Sequence, residues 1–181
     1  MRIVAGAWRG RRLVAPAGQA TRPTADRVRQ ALFDMLLHAP WGGQEVVEGV
    51  RVLDAFAGTG ALGLEALSRG AAQATFMERD RAALAALRAN IAACGAAHRA
   101  AVLAADATRP PRAEAPCGLV FFDPPYGEGL VPRALVALRD AGWIAPGALI
   151  VAETGVDEAL GEAATFLASR VHGAARITVW R

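Results

Sequence analysis

The chain has 181 residues, of which 54% are hydrophobic, and a formal net charge of +3, so it is long enough for one ordinary domain with a sizeable core. No stretch approaches the roughly 18 uninterrupted apolar residues of a membrane span, and the apolar run at the N-terminus is too short for a secretory signal. The two cysteines, Cys94 and Cys117, are far apart and form no CxxC pair. This spacing argues against a disulfide framework or a zinc site and favours a reducing cytoplasm.

Two short strands and a helix are predicted before residue 40. Residues 1–6 and 10–15 alternate in the manner of a small β-hairpin. Residues 22–40 then show an apolar helical face, and either Thr24 or Asp26 is expected to cap the helix at its start. These elements form a small N-terminal extension.

Positive charge is concentrated in this extension. Residues 1–29 contain seven arginines and one acid, a net charge of +6, whereas the rest of the chain is net −3. Arg27 and Arg29 fall near the first turn of the predicted helix, where the helix dipole favours an anion, so we expect an anion beside them. The basic segment suggests a phosphate-bearing partner. A solvated arm without a partner would show the same pattern, so charge alone leaves both interpretations open.

From residue 50 the pattern changes to alternating strands and helices. The predicted strands are VRVLDAFAG, ATFME, AAVLAAD, LVFF and ALIVAE, and the predicted helices are ALGLEALSRG, DRAALAALRANIAACG and LVPRALVALRDAG. Asp80 is expected to cap the second of these helices, and FLASRVHGAARITVW predicts a hairpin that turns at His172-Gly173. The expected fold is therefore an α/β Rossmann-like domain. It has a mainly parallel seven-stranded sheet with helices on both faces and an antiparallel C-terminal hairpin.

Acidic residues recur where the predicted strands end. Ligands on such sheets bind outside the carboxyl ends of the strands, so the residues of interest are 54–60, 78, 106 and 123–126. Each of these places carries an acid. Any single one could be an ordinary loop residue, but the repetition favours a binding site.

The first strand end leads into a glycine loop. Residues 58–63, GTGALG, match G-x-G-x-x-G, and Glu78 follows Gly58 by twenty residues, as in a dinucleotide-binding protein. An NAD-dependent oxidoreductase is therefore one interpretation. Asp54 favours another, because a carboxylate near the loop would repel a pyrophosphate and attract the ammonium group of S-adenosylmethionine.

That interpretation gives each strand-end acid a role. Glu78 would accept hydrogen bonds from the ribose hydroxyls, and Asp106 would accept one from the adenine amino group. The glycines would let the backbone pass close to the ligand. The candidate cofactor-binding residues here are Asp54, Phe56, Gly58, Gly60, Glu78 and Asp106.

The segment Asp-Pro-Pro-Tyr at 123–126 follows the fourth strand and is expected to face the same crevice. An exocyclic amino group on a base is a poor nucleophile, and acceptors for both of its N–H bonds would aim its lone pair at a methyl carbon. The Asp123 carboxylate and the Pro124 carbonyl are two such acceptors, held by the rigid prolines. Tyr126 offers a stacking face for a base flipped out of its helix. The candidate catalytic residues are Asp123, Pro124 and Tyr126.

Four stretches together resemble the bacterial 16S rRNA guanine-N2 methyltransferases of the RsmD family. These are MRIVAGAWRGRRL, RPTADRVRQALFDML, LDAFAGTGALGLEALSRGA and VFFDPPY. The resemblance implies S-adenosylmethionine-dependent methylation of a guanine 2-amino group in 16S rRNA, within an assembled or assembling 30S subunit. It also implies that the segment Arg22–Arg29 closes over the cofactor, which adds Thr24 to the cofactor candidates, and lies beside the RNA.

These inferences describe one methyltransferase domain over 1–181, with a basic extension at 1–40 and a catalytic core at 50–181. The expected protein is a cytoplasmic monomer without a metal ion. Its candidate RNA-binding residues are Arg9, Arg11, Arg12, Arg22, Arg27 and Arg29. The alternatives are an adenine-N6 methyltransferase of DNA or RNA, the NAD-dependent oxidoreductase, and a non-catalytic RNA-binding module.

Overall fold

A computed structural model describes residues 1–16, 23–158, 160 and 165–181. The strands are β1 (Arg51–Asp54), β2 (Gln73–Glu78), β3 (Ala100–Ala104), β4 (Cys117–Phe122), β5 (Ile144–Gly155), β6 (Phe166–His172) and β7 (Ala175–Trp180). The α-helices are α1 (Pro23–His38), α2 (Ala61–Ser68), α3 (Arg81–Ala93) and α4 (Leu130–Asp140). In this part of the chain, no helix is long and apolar enough to cross a membrane.

All seven strands belong to one sheet, in the order β3-β2-β1-β4-β5-β7-β6. Neighbouring strands are parallel except where β7 runs antiparallel between β5 and β6. The chain moves outward from β1 to β3 and then returns to place β4 beside β1. The order therefore reverses between β1 and β4, the position at which such sheets open a ligand crevice. The predicted fold is confirmed.

Helices cover both faces of the sheet because successive strand residues point to opposite sides. On β1, Val52 packs with α1, α2 and α3, whereas Leu53 packs with α4. Phe121 and Phe122 on β4 divide in the same way, and all four side chains are buried. Full burial of one such side chain contributes about 1.5–3 kcal/mol. These two apolar layers hold the strand ends in register.

Some local predictions are confirmed and others are wrong. Asp80 caps α3, because its side chain accepts a hydrogen bond from the Ala83 backbone N–H at 2.8 Å. The predicted cap of α1 is wrong: the helix begins at Pro23, so Thr24 and Asp26 lie inside it. Proline suits the first helical position, where its missing N–H has no partner to lose.

The predicted N-terminal strands are also wrong in extent. Residues Arg2 and Arg12 form only an isolated antiparallel bridge, and a 3-10 helix spans Gly6–Trp8 between them. The C-terminal hairpin is confirmed, but its turn lies one residue later than expected, at Gly173 and Ala174. At both ends of the chain, the alternation of apolar and polar residues predicted which segments pair. It did not predict the geometry of the turn between them.

The N-terminal segment, residues 1–16, packs on α2 through buried polar side chains. Glu65 accepts hydrogen bonds from the backbone N–H groups of Val4 and Ala5 at 2.7 and 2.9 Å. Ser68 donates to the Ala5 carbonyl at 2.6 Å. Gly6, with φ of +77°, approaches α2 so closely that a Cβ would lie 1.9 Å from the Ser68 carbonyl oxygen. The segment is therefore part of the domain.

Candidate active site

A two-lobed crevice lies at the carboxyl ends of the strands. The Asp54 lobe, of about 560 Å³, lies between the strand ends, α1 and the β6–β7 turn. The Glu78 lobe, of about 830 Å³, lies on the β2 and β3 side. Phe56, Gly58, Asp123 and Tyr126 line both lobes. Volumes in this range suit a small-molecule ligand, and the shared wall consists of residues from two predicted motifs.

Asp54 ends β1 and is 1% exposed. Its Oδ2 accepts a hydrogen bond from the Gly63 backbone N–H at 3.0 Å, whereas Oδ1 has no partner among the described residues. Burial raises the pKa of this carboxyl to about 7, and the Glu78 charge adds to the rise while the Gly63 N–H opposes it. A buried acceptor of this kind, lining the cavity, is suited to a cationic partner.

The glycine loop is tied to the next strand by Glu78. One oxygen of Glu78 accepts from the Gly58 backbone N–H at 2.8 Å, and the other accepts from the Arg79 and Asp80 N–H groups at 2.7 Å each. Gly63 allows α2 to lie against β2, because a Cβ there would be 2.3 Å from the Phe76 ring. The loop is thereby held at the rim shared by the two lobes.

Asp106, beyond the end of β3, lines the far side of the Glu78 lobe. Its Oδ1 accepts from the Thr108 backbone N–H at 2.8 Å and from the Thr108 hydroxyl at 2.7 Å. Its Oδ2 lies 3.0 Å from Nη1 of Arg79. These Thr108 hydrogen bonds, and then Arg79, lower the pKa of Asp106. The ion pair with Arg79 is a feature that the strand-end argument did not anticipate.

Asp123, Pro124 and Tyr126 follow β4 and face the crevice. Although water reaches Asp123 from the open side, the surrounding protein desolvates the carboxylate and raises its pKa, and the Glu153 and Asp54 charges raise it further. Tyr126 is 45% exposed, and its hydroxyl donates to Oε1 of Glu153 at 2.5 Å. The arrangement places hydrogen-bond acceptors beside an exposed aromatic ring.

Two predicted site residues, Gly60 and Arg29, are buried, although Arg29 still contributes to the wall of the Asp54 lobe. Gly60 is buried behind the loop, where it begins α2 with φ of +81° and where a Cβ would be 2.4 Å from Cδ1 of Leu87. It therefore has a packing role and does not line the crevice. Arg29 is 4% exposed, is paired with Asp26 at 2.9 Å and lies 3.5 Å from Glu65. The anion expected beside Arg29 is thus internal, and this arginine is removed from the RNA-binding set.

The remaining basic candidates are on the surface. Arg9, Arg11, Arg12 and Arg27 are exposed. Arg22 lies outside the described residues, and for Thr24 only the helical backbone is described. Within the described ranges, no group of three or more His, Cys, Asp or Glu side chains could hold a metal ion.

Sequence reasoning missed three parts of the crevice. Glu153, near the end of β5, lines the Asp54 lobe together with Met1 and the β6–β7 turn at Gly173–Ala174. Glu153 could have been found by the rule that found the other acids, since it closes the predicted strand ALIVAE. Met1 and the turn carry no local signal, because tertiary packing brings them to the site.

The unpaired oxygen of Asp54 suits a cationic group such as the ammonium group of S-adenosylmethionine, and Glu78 and Asp106 line the neighbouring lobe. A pyrophosphate would meet the same carboxylate unfavourably, which counts against the NAD alternative. The strand order, with β7 antiparallel between β5 and β6, is that of the class I S-adenosylmethionine-dependent methyltransferases.

Comparison with known proteins leads to one family. The family model described as "Conserved hypothetical protein 95" matches residues 1–181. "Ribosomal RNA small subunit methyltransferase D" of Escherichia coli K12 is 43% identical over 160 residues, which cover 88% of this chain and 77% of that protein. The chain therefore belongs to this family, the RsmD family of methyltransferases, and the NAD-dependent oxidoreductase interpretation is wrong.

Solved structures agree with this assignment. The Escherichia coli protein yhhF superposes with a TM-score of 0.83 at 38% identity, covering 99% of this chain and 96% of that one. The Thermus thermophilus 16S rRNA N2 G1207 methyltransferase RsmC, solved with AdoMet and guanosine, gives a TM-score of 0.70 at 21% identity. That match covers 91% of this chain and 44% of RsmC, and at this identity it shows a shared fold.

Proposed function

We propose that the protein methylates the N2 amino group of a guanine in 16S rRNA, within the 30S subunit or an assembly intermediate. The observation that carries the proposal is the position of Asp123 and Tyr126 on the wall shared by the two lobes. A base stacked on Tyr126 would lie beside the lobe that suits the methyl donor. The names of the relatives support rRNA as the substrate class, and the guanosine in the RsmC structure is compatible with a guanine.

The cofactor would be held by the strand-end acids. Asp54 would pair with the ammonium group, Glu78 would accept from the ribose hydroxyls, and Asp106 would accept from the adenine amino group while Phe56 and Gly58 form the rim. S-adenosylmethionine, when bound, supplies the methyl group. The raised pKa of Asp54 means that pairing with a cation would also stabilise its charged form.

Asp123 would act on the amino group of the base. Its carboxylate and the Pro124 carbonyl would accept hydrogen bonds from the two N–H groups, which orients the nitrogen lone pair. As the nitrogen gains a methyl group it becomes positively charged, and Asp123 would stabilise that charge and then take the proton. The raised pKa of Asp123 makes it a better proton acceptor than an ordinary aspartate.

A radiolabelled transfer assay tests the reaction. The protein is incubated with tritiated S-adenosylmethionine and small-subunit rRNA, either naked or in 30S particles, from a strain lacking the enzyme, and the RNA is digested to nucleosides. We expect label in N2-methylguanosine. Label in N6-methyladenosine would instead establish the adenine-N6 alternative, and no label in any nucleoside would favour a non-catalytic module.

Replacing Asp123 tests the proposed mechanism. Because the residue is exposed at the crevice, Asp123→Ala should fold normally, and we expect methyl transfer to fall by about 10²–10⁴-fold while RNA affinity changes little. Asp157→Ala, which removes an exposed acid from the loop after β5, serves as the control and should retain activity. Wild-type activity in Asp123→Ala would eliminate this mechanism.

The exposed arginines at the N-terminus would bind RNA phosphates. Neutralising Arg9, Arg11 and Arg12 together should weaken RNA binding and lower the slope of log affinity against log salt by roughly 0.7–0.9 for each phosphate that is no longer neutralised. Filter binding at several salt concentrations measures this slope. A variant lacking Arg112, Arg133 and Arg139, three exposed arginines outside the N-terminal segment, is the matched charge control. Equal slopes in the two variants would mean that the N-terminal segment is merely solvated.

A further inference from the structure

Glu153 lies beside Asp123 at the active site. Strands β4 and β5 are parallel, and their register pairs Phe122 with Ala152, so Asp123 and Glu153 are the next residues on adjacent strands. Both line the Asp54 lobe. The sheet therefore presents two carboxylates next to each other, and the proposed mechanism uses only one of them.

The second carboxylate has an acceptor available to a ligand. Oε1 of Glu153 accepts the Tyr126 hydroxyl at 2.5 Å, and no residue in the described ranges donates a hydrogen bond to Oε2. Desolvation raises the pKa of Tyr126, and the hydrogen bond to Glu153 raises it further, so the phenol remains a donor. Glu153 is thus held at the edge of the ring on which a base would stack.

The edge of a guanine offers one more donor than the proposed mechanism satisfies. Its N2 amino group carries two N–H bonds, which Asp123 and the Pro124 carbonyl would accept, and the adjacent N1–H needs a third acceptor. Adenine has no N–H at N1 and presents a lone pair there, which a carboxylate would repel. A buried donor without a partner is costly, so this third acceptor would decide which base can enter.

We propose that Glu153 is a specificity-determining residue that accepts a hydrogen bond from guanine N1–H and thereby selects guanine over adenine. This inference rests on the proposed function. The competing role for Glu153 is structural, in which it only orients the Tyr126 ring through the hydroxyl. The two roles differ in what they predict for a base that keeps the amino group but lacks N1–H.

2-Aminopurine is such a base, since it retains the 2-amino group and carries a lone pair at N1. Short RNAs with guanine or 2-aminopurine at the target position would be compared as substrates by kcat/KM for methyl transfer, in the wild type and in Glu153→Gln. Because 2-aminopurine also lacks O6, only the change in preference between the two enzymes isolates Glu153. The wild type should prefer guanine, and the preference should fall by about 10- to 100-fold in Glu153→Gln, whose amide can donate to the N1 lone pair.

Two further variants separate the roles. Tyr126→Phe removes the hydroxyl that holds Glu153 and keeps the ring, so it should lose less of the preference than Glu153→Gln if Glu153 itself contacts the base. Glu128→Gln neutralises an exposed acid outside both lobes and should also keep it. Binding of S-adenosylhomocysteine by each variant confirms that it is folded.

The outcomes distinguish this inference from the proposed function. The amide oxygen of Glu153→Gln can still accept the Tyr126 hydroxyl, so a preference for guanine that is unchanged in this variant would overturn the role of Glu153 while guanine methylation stands. If the wild type produces no N2-methylguanosine at all, the proposed function fails first, and the specificity role fails with it.

Discussion

Two buried carboxylates, Glu65 on α2 and Asp54 at the end of β1, differ in how many hydrogen-bond donors the protein places around them. Glu65 is 0% exposed and is surrounded by donors: the Val4 and Ala5 backbone N–H groups and Nε of Arg69 at 2.8 Å, with Arg29 at 3.5 Å. Asp54 is 1% exposed and has one backbone donor, with its second oxygen unsatisfied within the described structure. The two residues are only eleven positions apart in sequence.

This difference matches the roles that we propose for the two carboxylates, structural for Glu65 and ligand-binding for Asp54. Around Glu65 the protein supplies compensation from its own chain, and the result is the attachment of residues 1–16 to α2. Around Asp54 the protein supplies only one hydrogen-bond donor. Because this donor does not offset the burial of the charge, the pKa of Asp54 rises to about 7. An uncompensated buried acid that lines a cavity indicates where a ligand supplies the missing partner.

Removing Glu65 should have the largest effect on stability. Glu65→Ala leaves Arg69 and two backbone N–H groups without their acceptor and removes one of the two acids beside Arg29, so we expect the free energy of unfolding to fall by about 3–5 kcal/mol. Thermal denaturation measures this loss. Glu114→Ala removes an exposed glutamate and should change the melting temperature little. Equal melting temperatures for these two variants would contradict the structural role of Glu65.

Removing the charge of Asp54 should raise the free energy of unfolding, whereas removing Glu65 should lower it. The folded pKa of about 7 lies above the ordinary value of 3.8, so the folded state holds a proton that the unfolded chain has released, and stability falls as pH rises between these values. At pH 8, Asp54→Asn should therefore raise the free energy of unfolding of the ligand-free protein, up to about 4 kcal/mol at roughly 1.4 kcal/mol per pKa unit.

Chemical denaturation at pH 8 measures this gain. The same variant should bind S-adenosylhomocysteine more weakly, by calorimetry. Asp140→Asn, at the exposed end of α4, should change neither property. Destabilisation of the ligand-free protein by Asp54→Asn would mean that the charge at this position is already compensated, which would remove the contrast with Glu65.

The pH dependence of ligand binding gives the smallest and most specific effect. Pairing with an ammonium group favours the charged form of Asp54, so binding should release a proton, and affinity for S-adenosylhomocysteine should fall by up to about tenfold per pH unit below pH 7. Calorimetry between pH 6 and 8, in buffers of different ionisation enthalpy, counts the proton. Because Asp123 also has a raised pKa, the pH dependence of affinity in the wild type must be compared with the pH dependence in Asp54→Asn. A wild-type dependence equal to that of the variant would exclude Asp54 as its source.

Much of the fold could be predicted because its signals are local. The strands β1, β2 and β4 and the helix α3 show apolar periodicity and end at acids, glycines or prolines, so both type and order could be assigned. The predictions were wrong where the geometry of a turn sets the bounds of an element, as at the start of α1 and in the N-terminal bridge. The crevice could also be predicted, since parallel strands end at one edge of a sheet and their terminal acids are brought together there.

The sequence by itself determined the Rossmann-like order of elements, the Gly-x-Gly loop and the acids at the strand ends, because each depends on residues that are close in the chain. Only the tertiary structure decided which charges are satisfied. Glu65 binds Val4 across 61 positions, and Glu153 binds Tyr126 across 27. Contacts over such separations leave no periodic signal, so the burial of Arg29 and the exposed positions of Arg9, Arg11, Arg12 and Arg27 follow from packing. The same packing leaves one oxygen of Asp54 without a partner among the described residues, at the position where the proposed cofactor would supply one.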